Sequence, residues 1–217
     1  MPAIKNFVKK RGAQLAGVAD LSLLKGIKTH PADLLAPYRY AISIGLALES
    51  YGRYDNKTEE RAYTQLGTIA RSVEKFIKSN RHNTLTVPPD ERLGDKPPGH
   101  WRGAVSHKAI ARAAGLGWIG KSSLLVTPQF GPRVGLISIL TDMVLEPDAP
   151  LANLCPGCSA CIDACPIGAI NDASFTDYPQ KIDRVLNVEK CGLWIDETWE
   201  RGTMCYDCMT QCTFGES

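Results

Sequence analysis

Residues 155–166 read Cys155-Pro-Gly-Cys158-Ser-Ala-Cys161-Ile-Asp-Ala-Cys165-Pro166, and the spacing of these cysteines decides the fold of the last third of the chain. The run is C-x2-C-x2-C-x3-C-P, a pattern that ligates iron–sulfur clusters. Three thiolates at successive three-residue steps can wrap one face of a cubane. The fourth, set off by one more residue, points away toward a second cluster. A further set follows in Cys191, Cys205, Cys208 and Cys212. The chain has 8 cysteines in all, the number that two [4Fe–4S] clusters require. A pair of structural zinc sites is the alternative, but zinc usually takes CxxC pairs across a longer loop and has no use for the x3-C-P step. A disulfide framework fits less well, because closely spaced CxxC thiols in a reducing compartment read as metal ligands.

Working outward, the 217 residues and 44% hydrophobic content suit one domain of about 150 residues plus a small appendage. Residues 1–150 contain no cysteine, so they must fold around an ordinary apolar core. We therefore expect domains at 1–148 and 149–217, with residues 146–150 as the boundary. The net charge of +2 gives no electrostatic case for a nucleic-acid partner, so none is expected. No apolar run approaches the ~20 residues of a membrane span. The first residues lack the apolar stretch of an export signal, and a cytoplasmic location is expected.

Ile4, Phe7, Val8 and Leu15 fall at helical spacing and predict an N-terminal helix. Residues 40–48 are rich in apolar residues, with Ile42 and Ile44 at period two, and predict a buried strand. Residues 58–80 carry one continuous stripe (Ala62, Leu66, Ile69, Ala70, Val73, Phe76, Ile77) and predict a long helix capped by Thr58. Leu85 and Val87 predict a short strand. The proline-rich stretch 88–103 predicts a loop of the length used for lids and binding loops. A helix over 106–114 should start on Ser106 and stop at Gly115. Strands over 123–127 and 133–141 should flank a turn at 128–132.

Residues 115–122 read Gly115-Leu-Gly117-Trp118-Ile-Gly120-Lys121-Ser122 and satisfy two nucleotide patterns at once, G-x-x-x-x-G-K-[ST] and G-x-G-x-x-G. Both need a strand before the loop and a helix after it, so that a helix N-terminus meets the phosphates. Here a helix enters and a strand leaves, which argues against a nucleotide. What survives is a tight glycine turn in close contact with a neighbouring strand or a flat ligand.

The two cysteine runs resemble those of two-cluster bacterial ferredoxins, where the last cysteine of each run crosses to the other cluster. By that likeness Cys155, Cys158, Cys161 and Cys212 hold the first cluster, and Cys165, Cys191, Cys205 and Cys208 the second. More broadly, residues 113–125, the Leu-Thr-Asp at 140–142 and the cysteine run at 155–170 resemble, in order and spacing, the core of epoxyqueuosine reductases and, more distantly, reductive dehalogenases. The resemblance implies an α/β (α+β) fold: a nitroreductase-like cobalamin-binding domain followed by a ferredoxin-like domain with two [4Fe–4S] clusters. It implies base-off cobalamin, reduced to cobalt(I) through the clusters, with the loop at 115–122 against the corrin or its tail. Thiolate-ligated clusters reach potentials of about −700 mV at the extreme, low enough for such a task. Two departures stand out. The family's Asp proton donor would fall near Trp101 and Arg102, and no Asp or Glu lies between His100 and Gly115. The sequence also ends after the second cysteine run, without the helical repeats that help those proteins hold tRNA, so a tRNA substrate is not expected.

Candidate site residues outside the cysteines follow from position. Tyr63 and His107 are candidate catalytic groups. His107, Lys108, Gly115, Gly117, Trp118, Gly120, Lys121 and Ser122 are candidate cofactor-binding residues. Each has a plainer reading: a packing tyrosine, a helix-terminus histidine, a surface lysine, a structural turn. Trp194 and Trp199 would shield the second cluster from water. The expected activity is reduction of a small substrate by the bound corrinoid, fed by a low-potential donor such as ferredoxin or flavodoxin. The alternatives are an electron carrier or reductive activator of another corrinoid protein, and a flavin-dependent reductase on the same fold. A homodimer is compatible with a nitroreductase-like core.

Overall fold

The computed structural model describes residues 4–48, 56–89, 103–155, 157–173 and 182–215, apart from the side chains of residues 56–58 and 183. Thr58 as a helix cap and almost all of the proline-rich loop, residues 90–102, lie outside that set. Four strands form an antiparallel sheet in the order β1-β2-β6-β3: β1 (Leu15–Asp20), β2 (Tyr40–Ala47), β3 (Thr84–Val87) and β6 (Val134–Thr141). Side chains alternate across a strand, so β1, β2 and β6 each serve two cores. Ile42, Ile44, Ile137 and Ile139 face α1 (Ile4–Lys9) and α2 (Asn56–Ser79), where Val8, Leu66, Ile69, Val73 and Ile77 meet them. Leu15, Ala19, Ala41, Leu136 and Leu140 face α3 (His107–Ala113), whose Ala109, Ile110 and Ala113 are fully buried. The mixed helix-and-sheet class is the one expected.

The predicted stripe on the long helix is the buried one, with Phe76 only partly covered. Ser106 caps α3 as expected: its Oγ accepts the amide of Ala109 at 3.3 Å, and Gly115 ends the helix at φ +69°. Asp142, at the end of β6, accepts both amides of Asn83 (2.7 and 2.9 Å) and ties the turn before β3 to its partner strand.

Two expectations are corrected. Leu15 does not continue the first helix. That helix ends at Lys9, Gly12 turns the chain at φ +95°, and Leu15 opens β1. The strand after the glycine loop does not pair with β6. It is reduced to β5 (Leu125–Val126), which pairs with β4 (Trp118–Ile119) inside the loop itself. The turn at 128–132 is closed separately by Thr127 and Gly131, whose backbones exchange bonds of 2.8 and 2.9 Å.

Residues 146–150 do not hang free. The amide of Asp148 donates to Val18 O (2.8 Å), its carboxylate accepts the Val18 amide (2.9 Å), and Lys5 Nζ lies 2.6 Å from the same carboxylate. The segment thus lies along the outer edge of β1. Beyond it come short elements: α4 (Ala160–Asp163), α5 (Val188–Glu200), capped by Asn187, and α6 (Asp207–Thr210). A single bridge, Ile170 to Leu186, joins the middle of this part. Among the described residues no helix is long and apolar enough to cross a membrane.

Candidate metal centre

None of the eight cysteines is in a disulfide, and all are half-buried. Their electrostatic neighbours divide them into two sets. Cys161 feels Cys155, Cys158 and Cys212. Cys191 feels Cys205 and Cys165, and Cys208 feels Cys191, Cys205 and Cys165. The two sets meet at Cys208, which feels Cys161 more than Cys165 and lines the same opening as the first set. Among the described residues no three His, Cys, Asp or Glu side chains converge closely enough for one metal ion.

The thiols are hard to ionise without a metal. Burial, reinforced by neighbouring sulfurs, pushes Cys161 up to about 11 and Cys208 up to about 12. Burial likewise raises Cys191, Cys205 and Cys212. A bound metal would take the place of these protons and offset the repulsion between neighbouring thiolates.

The glycine loop forms one wall of the first set. A cavity of about 350 Å³, open to solvent, is lined by Gly120, Lys121 and Ser122 on one side and by Cys155, Cys158, Cys161 and Cys212 on the other. A Cβ at Gly120 would stand 3.3 Å from Cys155 Sγ and 2.8 Å from Val126. At Gly117 it would strike Val126 O at 2.1 Å, and at Gly115 Ala149 O at 2.6 Å. The close approaches demanded by these glycines are therefore to the neighbouring strand, to the boundary segment and to a cysteine. Trp118 is buried, donates its indole N–H to Cys155 Sγ at 3.2 Å and meets Phe214 edge-on at 4.9 Å. Lys121 pairs with Asp172 at 2.7 Å and keeps its proton more firmly for it, with Cys161 and Cys155 adding to the effect.

The second set has its own neighbours. Lys108 Nζ donates to Ser123 O at 2.6 Å, inside the β4–β5 turn, where Ser123 is held at φ +61°. Burial makes its proton easier to lose, while Cys191 and Cys208 oppose that. The side chain of Trp194 donates to Cys205. Trp199 is 46% exposed and shields little. The amide of Ala169 donates to Cys165 Sγ at 3.2 Å.

The two candidate catalytic residues are placed as ties. His107 bonds Ser138 Oγ through Nδ1 (2.8 Å) and Pro88 O through Nε2 (3.0 Å), joining α3 to β6 and to the end of β3. A carbonyl can only accept, so Nε2 carries the proton. Tyr63 donates to Glu59 Oε1 at 2.5 Å, and Tyr206, next to Cys205, donates to Glu59 Oε2 at 3.3 Å. Glu59 thus links α2 to the cysteine-bearing part. Sequence reasoning missed Glu59 and, more importantly, Arg133. The latter is 3% exposed and donates to the carbonyls of Met209, Cys212 and Phe214. A lone arginine at the mouth of an apolar strand was the available signal.

No family model matches the chain. The chain is 34% identical over 149 residues to an epoxyqueuosine reductase of Bacillus anthracis, covering 66% of this chain and 39% of that protein. It thus spans well under half the length of the curated relatives it matches. The fold is that of an epoxyqueuosine reductase crystallised with a tRNA-Tyr epoxyqueuosine-modified stem loop (TM-score 0.64, 22% identity, 97% of this chain and 64% of that one). It is also that of a reductive dehalogenase whose structure suggests a mechanism for B12-dependent dehalogenation (TM-score 0.73, 19% identity, 97% and 31%). These likenesses agree with the resemblance read from the motifs. They overturn the exclusion of nucleic acid, because a chain of this fold carries a tRNA stem loop. Net charge sums over a whole surface and is blind to a local basic patch, so +2 was no ground for that exclusion.

Proposed function

We propose that this chain is a cobalamin-dependent iron–sulfur reductase, with residues 1–148 as the cofactor domain and residues 149–217 carrying two [4Fe–4S] clusters. The observation that carries the reading is the division of the eight cysteines into two adjoining sets with crossed membership, Cys212 with the first run and Cys165 with the second. That is the ligand exchange of a two-cluster ferredoxin. When bound, the clusters would supply single electrons and the corrinoid the reactive metal. The protein's part is placement. Cys208 and Cys161 bring the sets side by side. Trp118 and Trp194 give one ligand sulfur of each set an indole donor, and Lys108 adds positive charge beside the second. Hydrogen bonds and charge at ligand sulfurs are the means by which a protein raises a cluster's potential.

A cytoplasmic setting and a ferredoxin- or flavodoxin-type donor fit this reading. The substrate includes nucleic acid among its candidates, given the stem loop held by the structural neighbour. The test is anaerobic purification and reconstitution. About eight irons, matching sulfide and one corrinoid with a base-off spectrum per chain are expected. Zinc in place of iron, or flavin in place of corrinoid, overturns the reading. Turnover is then assayed with and without an epoxyqueuosine-bearing tRNA stem loop.

A further inference from the structure

Three ligands of the first set, Cys155, Cys158 and Cys161, lie within one short stretch, and the amide of Cys158 bonds Cys155 O at 3.1 Å. Cys212 comes from the other end of the module, on the turn that follows the four-residue helix α6. Such a helix cannot hold that turn in place by itself. The turn is held from outside. Arg133 Nη1 donates to Met209 O (3.2 Å) and Cys212 O (3.2 Å), and Nη2 donates to Phe214 O (3.0 Å). Its backbone immediately precedes β6 and is tied to the end of β2: Leu48 N donates to Arg133 O at 3.0 Å. Beside it, Gly131 and Gly215 bring the two backbones into contact. A Cβ at Gly131 would lie 2.0 Å from Phe214 O, and one at Gly215 would lie 2.1 Å from Gly131 N. Phe214 then stacks edge-on against Trp118, which itself holds Cys155, and the Phe214 amide bonds the Cys212 sulfur.

On the two-cluster reading, we propose that Arg133 is a positioning residue for Cys212: its guanidinium pins the C-terminal turn to the sheet domain, so the first cluster is complete only when the two parts are docked. The fork geometry matters. A planar guanidinium reaches three carbonyls that diverge from the end of a helix, whereas an ammonium is a single point donor. The second cluster depends on it less, because two of the three carbonyls, those of Cys212 and Phe214, belong to the turn that carries Cys212, whereas one, Met209 O, lies beside a second-set ligand, Cys208.

The experiment compares full-length wild type with Arg133→Met, Arg133→Lys, Phe214→Ala and Cys212→Ser, all reconstituted without air. Iron and sulfide are counted, oxidised and reduced EPR spectra recorded, and far-UV circular dichroism taken as the fold control. Arg133→Met is expected to copy Cys212→Ser: loss of one corner iron, a three-iron signal in the oxidised state, and a second cluster that keeps its four irons. Arg133→Lys should recover part of the lost iron, and Phe214→Ala should show the same three-iron signal at lower intensity. An Arg133→Met protein with wild-type iron and spectra overturns the proposal. So does equal loss of both clusters, which marks a general structural role. If Arg133→Met does not fold, wild-type spectra for both Arg133→Lys and Phe214→Ala overturn it instead. A wild type without about eight irons defeats the two-cluster reading itself, whereas an iron-replete wild type beside an iron-replete Arg133→Met defeats this inference alone.

Discussion

The sheet domain and the cysteine module stand on different physical ground. The first has two apolar cores, one on each face of the sheet, and neither extends beyond Leu145. In the module the buried apolar side chains among the described residues are Ala169, Ile170 and Val185. Three such side chains cannot offset the conformational entropy of some sixty residues, at about 1–2 kcal/mol each for the backbone alone. On the proposed two-cluster reading, the module draws its stability from iron–sulfur ligation and from its contacts with the sheet domain. Apolar burial would then build the scaffold, and metal ligation fold what the scaffold carries.

The largest expected effect breaks the two apart. Removing the clusters with chelator and oxidant should open residues 151–215 to protease while the sheet keeps its far-UV signal. Simultaneous loss of both, or protection of both, would contradict the division. A core substitution should do the reverse. Leu66 is fully buried, so Leu66→Ala should cost about 2–5 kcal/mol in denaturant melts and leave iron content unchanged.

Next comes pH, in the loading of iron. A ligand thiol must lose its proton to bind iron; a free cysteine holds that proton to about 9.0, and burial holds Cys161 to about 11 and Cys208 to about 12. Loading therefore releases protons, and the apparent affinity for iron rises with pH. Iron content after reconstitution from about pH 7 to about pH 9 checks this, and loading that does not change with pH would contradict it. The smallest effect distinguishes the sets. Trp118→Phe removes the indole donor to Cys155 and should lower the potential of one cluster only, read by EPR-monitored titration. A shift in both clusters would mean that the sets are not separately tuned.

Much of the scaffold was legible because its signals are periodic. The stripe from Ala62 to Ile77, the alternation around Ile42 and the Ser106 cap each carry their geometry in neighbouring residues. Strand β1 was not, because Leu-Ala-Gly-Val-Ala-Asp contains few strand-forming side chains and Leu15 happens to extend the helical spacing of Ile4 and Val8. Strand β4 was hidden inside a glycine pattern that suggested a ligand. The glycines around it approach Val126, Ala149 and Cys155. The cysteine sets could be read because ligand spacing is itself a sequence property. Arg133 could not, since its partners are backbone carbonyls 76 to 81 residues away, and a carbonyl has no residue type.

The strip around Asp148 does more than lead from one part to the other. By occupying the outward amide and carbonyl of Val18 it closes off an edge strand whose groups could otherwise recruit a strand from another molecule. A fragment cut just before Asp148 would keep its sheet but gain a sticky rim, and its self-association should rise with concentration where the intact chain's does not.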